Sequence, residues 1–337
     1  MSALISAFTF DAYVTSVLFD RGGTAAFSLG DGTVRLATPA GVAVVEAHQG
    51  AVLCAALHPY GAGVVTGGDD GAVVWSRIEG NELAAMRLAE RKGRWIDAIA
   101  ASPATGLIAF SAGREAVVID AADPAFERSF QHEKTIGGLA FDPKGRRLAA
   151  ASYGGAWLWW AKIAEQKPQA LKWPGGHGTI VWSPDGKFLV SCLQENQLHG
   201  WRVADSKDMR MGGYPAKVKS LAFASDGAAL ATSGANGAVI WPFSGANGPM
   251  GKEAGEIGPS ASGAKTTCVA ALPTGPMVAA GFDDGTLWAA DLKTGKLEKV
   301  KPDTGPPISA LALSQDLTQL AWGDEAGGAG LLRLAGL

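Results

Sequence analysis

The side chains of this 337-residue chain that could do chemistry are few, and their spacing argues against most chemistry. His48, His58, His132, His177 and His199 form no HxH or HxxxH pair, the spacings that bring two imidazoles to one metal. Cys54, Cys192 and Cys268 are far apart and contain no CxxC, which fits buried small apolar side chains in a reducing compartment. The chain has no GxSxG elbow, no P-loop lysine motif and no GxGxxG between a strand and a helix. In AADLKTGKLEK (289–299) a D-x-x-T-G phrase occurs once, and a hairpin turn accounts for it. No catalytic residue, metal site or cofactor is expected.

The elements that must position these side chains repeat along the chain. A short apolar phrase ending in a turn recurs eight times: SVLFDRGG (16–23), CAALHPYG (54–61), AIAASPATG (98–106), GLAFDPKG (138–145), TIVWSPDG (179–186), SLAFASDG (220–227), VAALPTG (269–275) and ALALSQDL (310–317). Anchored on Phe19, Leu57, Ala101, Phe141, Trp182, Phe223, Leu272 and Leu313, the intervals are 38, 44, 40, 41, 41, 49 and 41 residues. A period near forty means stacked supersecondary units, none able to bury its own apolar face alone.

Within the second copy, AVLCAALHP (51–59), GVVTGG (63–68), AVVWSRI (72–78) and ELAAMRLAE (82–90) read as four strands separated by turns at His58-Pro59-Tyr60-Gly61, Asp69-Asp70-Gly71 and Glu79-Gly80-Asn81. Radial packing of such small antiparallel sheets covers their faces and leaves only short edges. On these residues the chain resembles the WD-repeat (WD40) propellers over nearly its whole length. His48 matches that family's GH histidine, Thr66 its second-strand hydroxyl and Asp70 its tight-turn acid, while Trp75 lies near its WD tryptophan. The resemblance implies that the four form one hydrogen-bonded set. Other copies are degraded: the fifth has His177, Ser191 and Trp201 with Asn196 for the acid, and the sixth has Thr232, Asn236 and Trp241 without a histidine.

The expected fold is all-β, a single domain over 1–337 of eight four-stranded antiparallel blades, with seven as the alternative. Fourth strands are expected at 42–47, 82–90, 126–131, 168–173, 208–213, 250–257 and 296–301. The eighth copy lacks one after LLRLAGL, and ALISAFTF (3–10) is expected to supply it. Residues 244–264, rich in Gly, Pro, Ser and Ala, read as an extended loop with a short strand inside.

A net charge of −3 argues against a general nucleic-acid binder, and no apolar run approaches the ~20 residues that span a bilayer. The N-terminus lacks the charge and apolar core of a secretory signal, so a cytoplasmic monomer is the default. What remains is surface. In the family resembled, the turns after the second strand and the loops entering the first share one face. Here these carry Asp69, Arg114, Tyr153, Glu195, Phe282, Asp283 and Asp324, then Arg91, Lys92, Arg94, Trp95, Lys134, Tyr214 and Lys217. A solvated charged rim explains them, and so does a docking surface for a protein or peptide, with Arg94, Trp95, Arg114 and Tyr153 as anchors. In AWLWWAK (156–162), Trp157 and Trp159 share one strand face and Trp160 takes the other, for packing between blades or for a partner. The resemblance implies a non-catalytic interaction scaffold. The alternative, an enzyme or ligand binder using the central channel, is disfavoured by first strands that read as almost wholly apolar.

Overall fold

The computed structural model of the protein describes residues 3–38, 41–79, 82–260 and 262–334. Among these residues the regular structure is thirty β-strands and one 3-10 turn, Ser225–Gly227. The expected turn at Gly80-Asn81 and the end of the last phrase, 335–337, lie outside the described residues. By internal contacts the chain falls into two compact units, 18–182 and 1–17 with 183–337.

The second repeat is built as Val52–Leu57, Val64–Gly68, Ala72–Glu79 and Glu82–Glu90, each strand antiparallel to the next. Burial falls off along the sheet. The second strands Ala25–Leu29, Leu107–Ala112 and Met277–Phe282 are buried at every residue, because both faces of an inner strand are covered. Fourth strands such as Glu127–Gln131 and Lys296–Lys301 are exposed at half or more of their residues, and their composition is charged. This gradient explains why the first two strands of each copy read as apolar runs and the last as mixed.

The phrase-ending glycine has a backbone reason. Gly23, Gly61, Gly145, Gly186 and Gly227 hold φ between +65° and +84°, the left-handed region that a side chain disfavours. In the eighth copy Leu317 takes this conformation, at φ +59°. Before the turn an acid often satisfies the amides: Asp142 Oδ1 accepts the N–H groups of Arg146 (2.7 Å) and Arg147 (3.1 Å).

Neighbouring repeats are stapled by side-chain donors of the first strands, or by one reaching a first strand, onto backbone carbonyls. Cys54 Sγ donates to Ile96 O (3.2 Å) and Trp182 Nε1 to Ala140 O (3.1 Å) in residues 18–182. Ser220 Oγ donates to Val269 O (3.1 Å) and Ser309 Oγ to Val14 O (2.7 Å) in the other unit. In that unit the segment Ala3–Thr9 pairs antiparallel with Gly328–Arg333, from Ala3 opposite Arg333 to Thr9 opposite Gly328. The last repeat thus takes its fourth strand from the start of the chain.

The blade count departs from expectation. Eight separate sheets are predicted from eight phrases, but seven form, six of four strands and one of six. The cause lies in the fourth and fifth repeats. Arg147–Trp160 and Gln169–Trp182 are each continuous over 14 residues, because Tyr153 pairs with Gly176 and Gly155 with Lys172 across a register shift. No break separates the expected strand 168–173 from the next first strand. The sixth repeat ends in a fourth strand of three residues, Gly255–Ile257, inside the Gly-rich segment.

Candidate partner-binding surface

Three repeats place a polar ring side chain nine residues before the anchor and a tryptophan eighteen after it: His48 and Trp75, His132 and Trp159, Tyr214 and Trp241. Their environments differ. In the second repeat His48, 7% exposed, bridges Asp70 (Nδ1 to Oδ1, 3.0 Å) and Thr66 (Nε2 to Oγ1, 2.9 Å), and Thr66 donates to Val74 O at 3.3 Å. Burial pushes the Asp70 carboxyl up. Hydrogen bonds from Ala72 N–H, His48 and Gln49 N–H outweigh this and hold it below the usual carboxylate range. Trp75 is not in this set, contrary to expectation. Its indole N–H donates to Ala62 O (2.6 Å), and its ring stacks on His58 at 3.9 Å with Arg77 also 3.9 Å away. The preference of indole for a cation and a flat neutral ring explains the displacement.

In the sixth repeat Tyr214 fills the place of the missing histidine. Its hydroxyl lies 2.7 Å from Thr232 Oγ1 and accepts the Trp241 indole N–H at 2.6 Å. Burial pushes its pKa up to about 12, against the lowering effect of those two bonds. Its assignment as a docking residue is therefore corrected: the side chain is 7% exposed. Phe282 (0%) and Asp324 (6%) are corrected for the same reason. Phe282 packs in the core with Val278 and Ala280. Asp324 Oδ1 caps its own turn, accepting Ala326 N–H at 2.9 Å and Gly328 N–H at 2.7 Å. Asp283 is exposed, and its carboxylate accepts Lys265 N–H at 3.0 Å. Glu195 is exposed in the same unit.

The other predicted residues come together in residues 18–182. Arg94, Trp95, Arg114, Lys134 and Tyr153 are all exposed, Trp95 by 65% and Tyr153 by 61%. A Cβ on Gly113 would lie 3.6 Å from Arg94 Nη1, which puts that guanidinium beside the turn carrying Arg114. Arg114 O accepts the His132 N–H at 2.9 Å. His132 leads into a cleft of about 430 Å³ that Lys134, Ser152, Tyr153, Trp157, Trp159 and Lys172 help to line. Within it the Trp159 indole N–H donates to His132 Nε2 at 3.1 Å, while Trp159 stacks on Phe130. Burial pushes the His132 pKa down to about 4, so the ring is neutral at neutral pH. Trp157 and Trp159 both line this cleft, and Trp160 is 49% exposed. The constant offset of nine from the anchor is the signal that could have found His132 and Tyr214 in the sequence.

The WD domain, G-beta repeat family matches residues 41–76, the stretch that holds His48, Thr66 and Asp70. This match and the arrangement of small antiparallel sheets support a WD-repeat β-propeller. The crystal structure of the computationally designed Ika8 protein superposes on this propeller with a TM-score of 0.80, at 17% identity, over 99% of this chain and 100% of that one. That likeness concerns the fold alone. No curated protein matches the propeller in sequence.

Other parts of the propeller hold less chemistry. Among the described residues no three His, Cys, Asp or Glu side chains are grouped to hold a metal, and no helix is long and apolar enough to cross a membrane. All three cysteines are free. Burial raises the pKa of each thiol, with Cys192 and Cys268 pushed up to about 12, which keeps them protonated and unreactive. Asp291 Oδ1 accepts the N–H groups of Lys293 (2.7 Å) and Thr294 (2.9 Å), so the D-x-x-T-G phrase forms a turn. The first strands are less apolar than expected. Ser16, Ser220, Thr267 and Ser309 line a pocket of about 260 Å³ with Tyr13, although three of those four hydroxyls bond neighbouring backbone.

Proposed function

We propose that this WD-repeat propeller is a non-catalytic interaction module that docks a protein or peptide on the surface formed by its third and fourth repeats. WD-repeat propellers generally mediate protein–protein interactions. The observation that carries the reading is the contiguous exposed set Arg94, Trp95, Arg114 and Tyr153, none of whose side chains is held by an ion pair among the described residues. Tryptophan, tyrosine and arginine dominate binding hot spots because they bury large area while directing hydrogen bonds. A solvated rim would not need Trp95 two-thirds exposed beside two arginines. Three free thiols, two of them on buried residues, fit a reducing compartment such as the cytoplasm.

We also read the chain as one domain in which the six-stranded sheet is two blades fused through long strands. The support is a bond from Ala161 N–H to Arg146 O at 2.9 Å, matched by Ala121 to Gly106 and Phe243 to Ala228 across the second and third strands of other repeats.

The function is tested by quantitative affinity capture from the native host with the wild-type chain and the R94E/R114E double variant. Both side chains are exposed, so the melting temperature should not change. At least a tenfold loss of specifically captured protein is expected. Equal capture by both proteins would remove the docking surface from these repeats.

A further inference from the structure

The cleft beside His132 is chemically more specific than exposed surface. Its two cationic side chains, Lys134 and Lys172, make no ion pair among the described residues, and Glu133 is the single acid lining it. Ser152 lines the same cleft and is 1% exposed, yet its hydroxyl has no hydrogen-bond partner among the described residues. A buried donor is ordinarily satisfied, so an orphan at the wall of a cleft marks a place for an acceptor. Because His132 Nε2 accepts the Trp159 indole N–H, the neutral ring carries its own proton on Nδ1, a further donor. Tyr153 and Trp157 add aromatic faces. Donors and positive charge therefore converge next to apolar surface.

We infer that this cleft binds an acidic segment of a partner polypeptide, with a carboxylate against Lys134, Lys172 and the Ser152 hydroxyl and an apolar or aromatic neighbour on Tyr153 and Trp157. The inference rests on the reading of the protein as an interaction module and names the chemistry of its partner. Charge complementarity selects the acid, and the aromatic faces select its neighbour.

The test is a random twelve-residue peptide library displayed on phage and panned against the full chain, with the selected peptides measured by fluorescence anisotropy. Selected sequences should be enriched in Asp or Glu next to Trp, Phe or Leu. Changing those acids to Asn or Gln, or changing the protein to K134E/K172E, should weaken binding at least tenfold with an unchanged melting temperature. Ser152→Ala should weaken binding about threefold without lowering the melting temperature, whereas a hydroxyl kept for a structural bond would lower it. No acidic enrichment, equal affinity for K134E/K172E, or a library that yields no binder would overturn the cleft. If that happens while R94E/R114E still loses its captured protein, the interaction reading stands. If R94E/R114E also captures as the wild type does, that reading falls as well.

Discussion

The second and fourth repeats start from the same ring position and end in opposite roles. His48 is held at both nitrogens, by Asp70 and Thr66, and has become a fixed part of the fold. At the corresponding places the fourth repeat has Gly154 instead of the acid and Ala150, fully buried, instead of the hydroxyl. His132 is left with the Trp159 indole as its side-chain hydrogen-bond partner, and a cleft opens beside it. Loss of two hydrogen-bonding groups thus converts an internal brace into the wall of a site. Degraded repeats in such a fold are therefore informative, because an incomplete network leaves polar atoms free to meet a ligand.

Acid should have the largest effect, and it acts through one ring of each repeat. His132 and His58 are both pushed down to about 4 by burial, so between about pH 6.5 and 4 the unfolded chain binds protons that the folded chain refuses. Stability should fall as pH drops through that window and level off below it, by roughly 2–3 kcal/mol for each ring. His132→Gln keeps an acceptor for Trp159 but cannot titrate, so urea melts at pH 7 and pH 4.5 should show about half the wild-type loss. An unchanged pH dependence would mean that the ring is open to protonation.

A smaller effect is expected from the brace itself. Asp70→Ala removes the acceptor of His48, Gln49 N–H and Ala72 N–H, and should cost about 2 kcal/mol in the same melts. Gly154→Ala, at the matching place in the fourth repeat, removes no bond and tests only backbone strain at φ +95°. The smallest effect belongs to Trp159→Phe, which deletes the indole N–H and leaves His132 Nε2 unpaired, at about 1 kcal/mol. A loss as large as that of Asp70→Ala would show that the fourth repeat is braced as firmly as the second.

Much of the architecture was legible because it depends on local patterns. An apolar run, a glycine that tolerates positive φ and a β-branched run specify a strand, a turn and a strand wherever they occur, and eight copies at a period near forty left few alternatives. The closing strand followed from counting fourth strands. The seam between the fourth and fifth repeats was not legible, because whether pairing continues past Tyr153 to Gly155 depends on Gly176 and Lys172 across the sheet.

Of the surface residues, Arg94, Trp95, Arg114, Lys134 and Tyr153 are exposed, and each sits near a loop or turn where the strand pattern changes. Tyr214, Phe282 and Asp324 occupy equally loop-like places in sequence and are buried. Sequence by itself determined the repeat, its strands and its turns, because these obey local sterics and periodicity. Only the tertiary structure decided which loop side chains fold inward, which hydroxyl is left without a partner and where a cleft opens. Those outcomes depend on residues in distant segments or in neighbouring repeats, whose positions the local pattern does not encode.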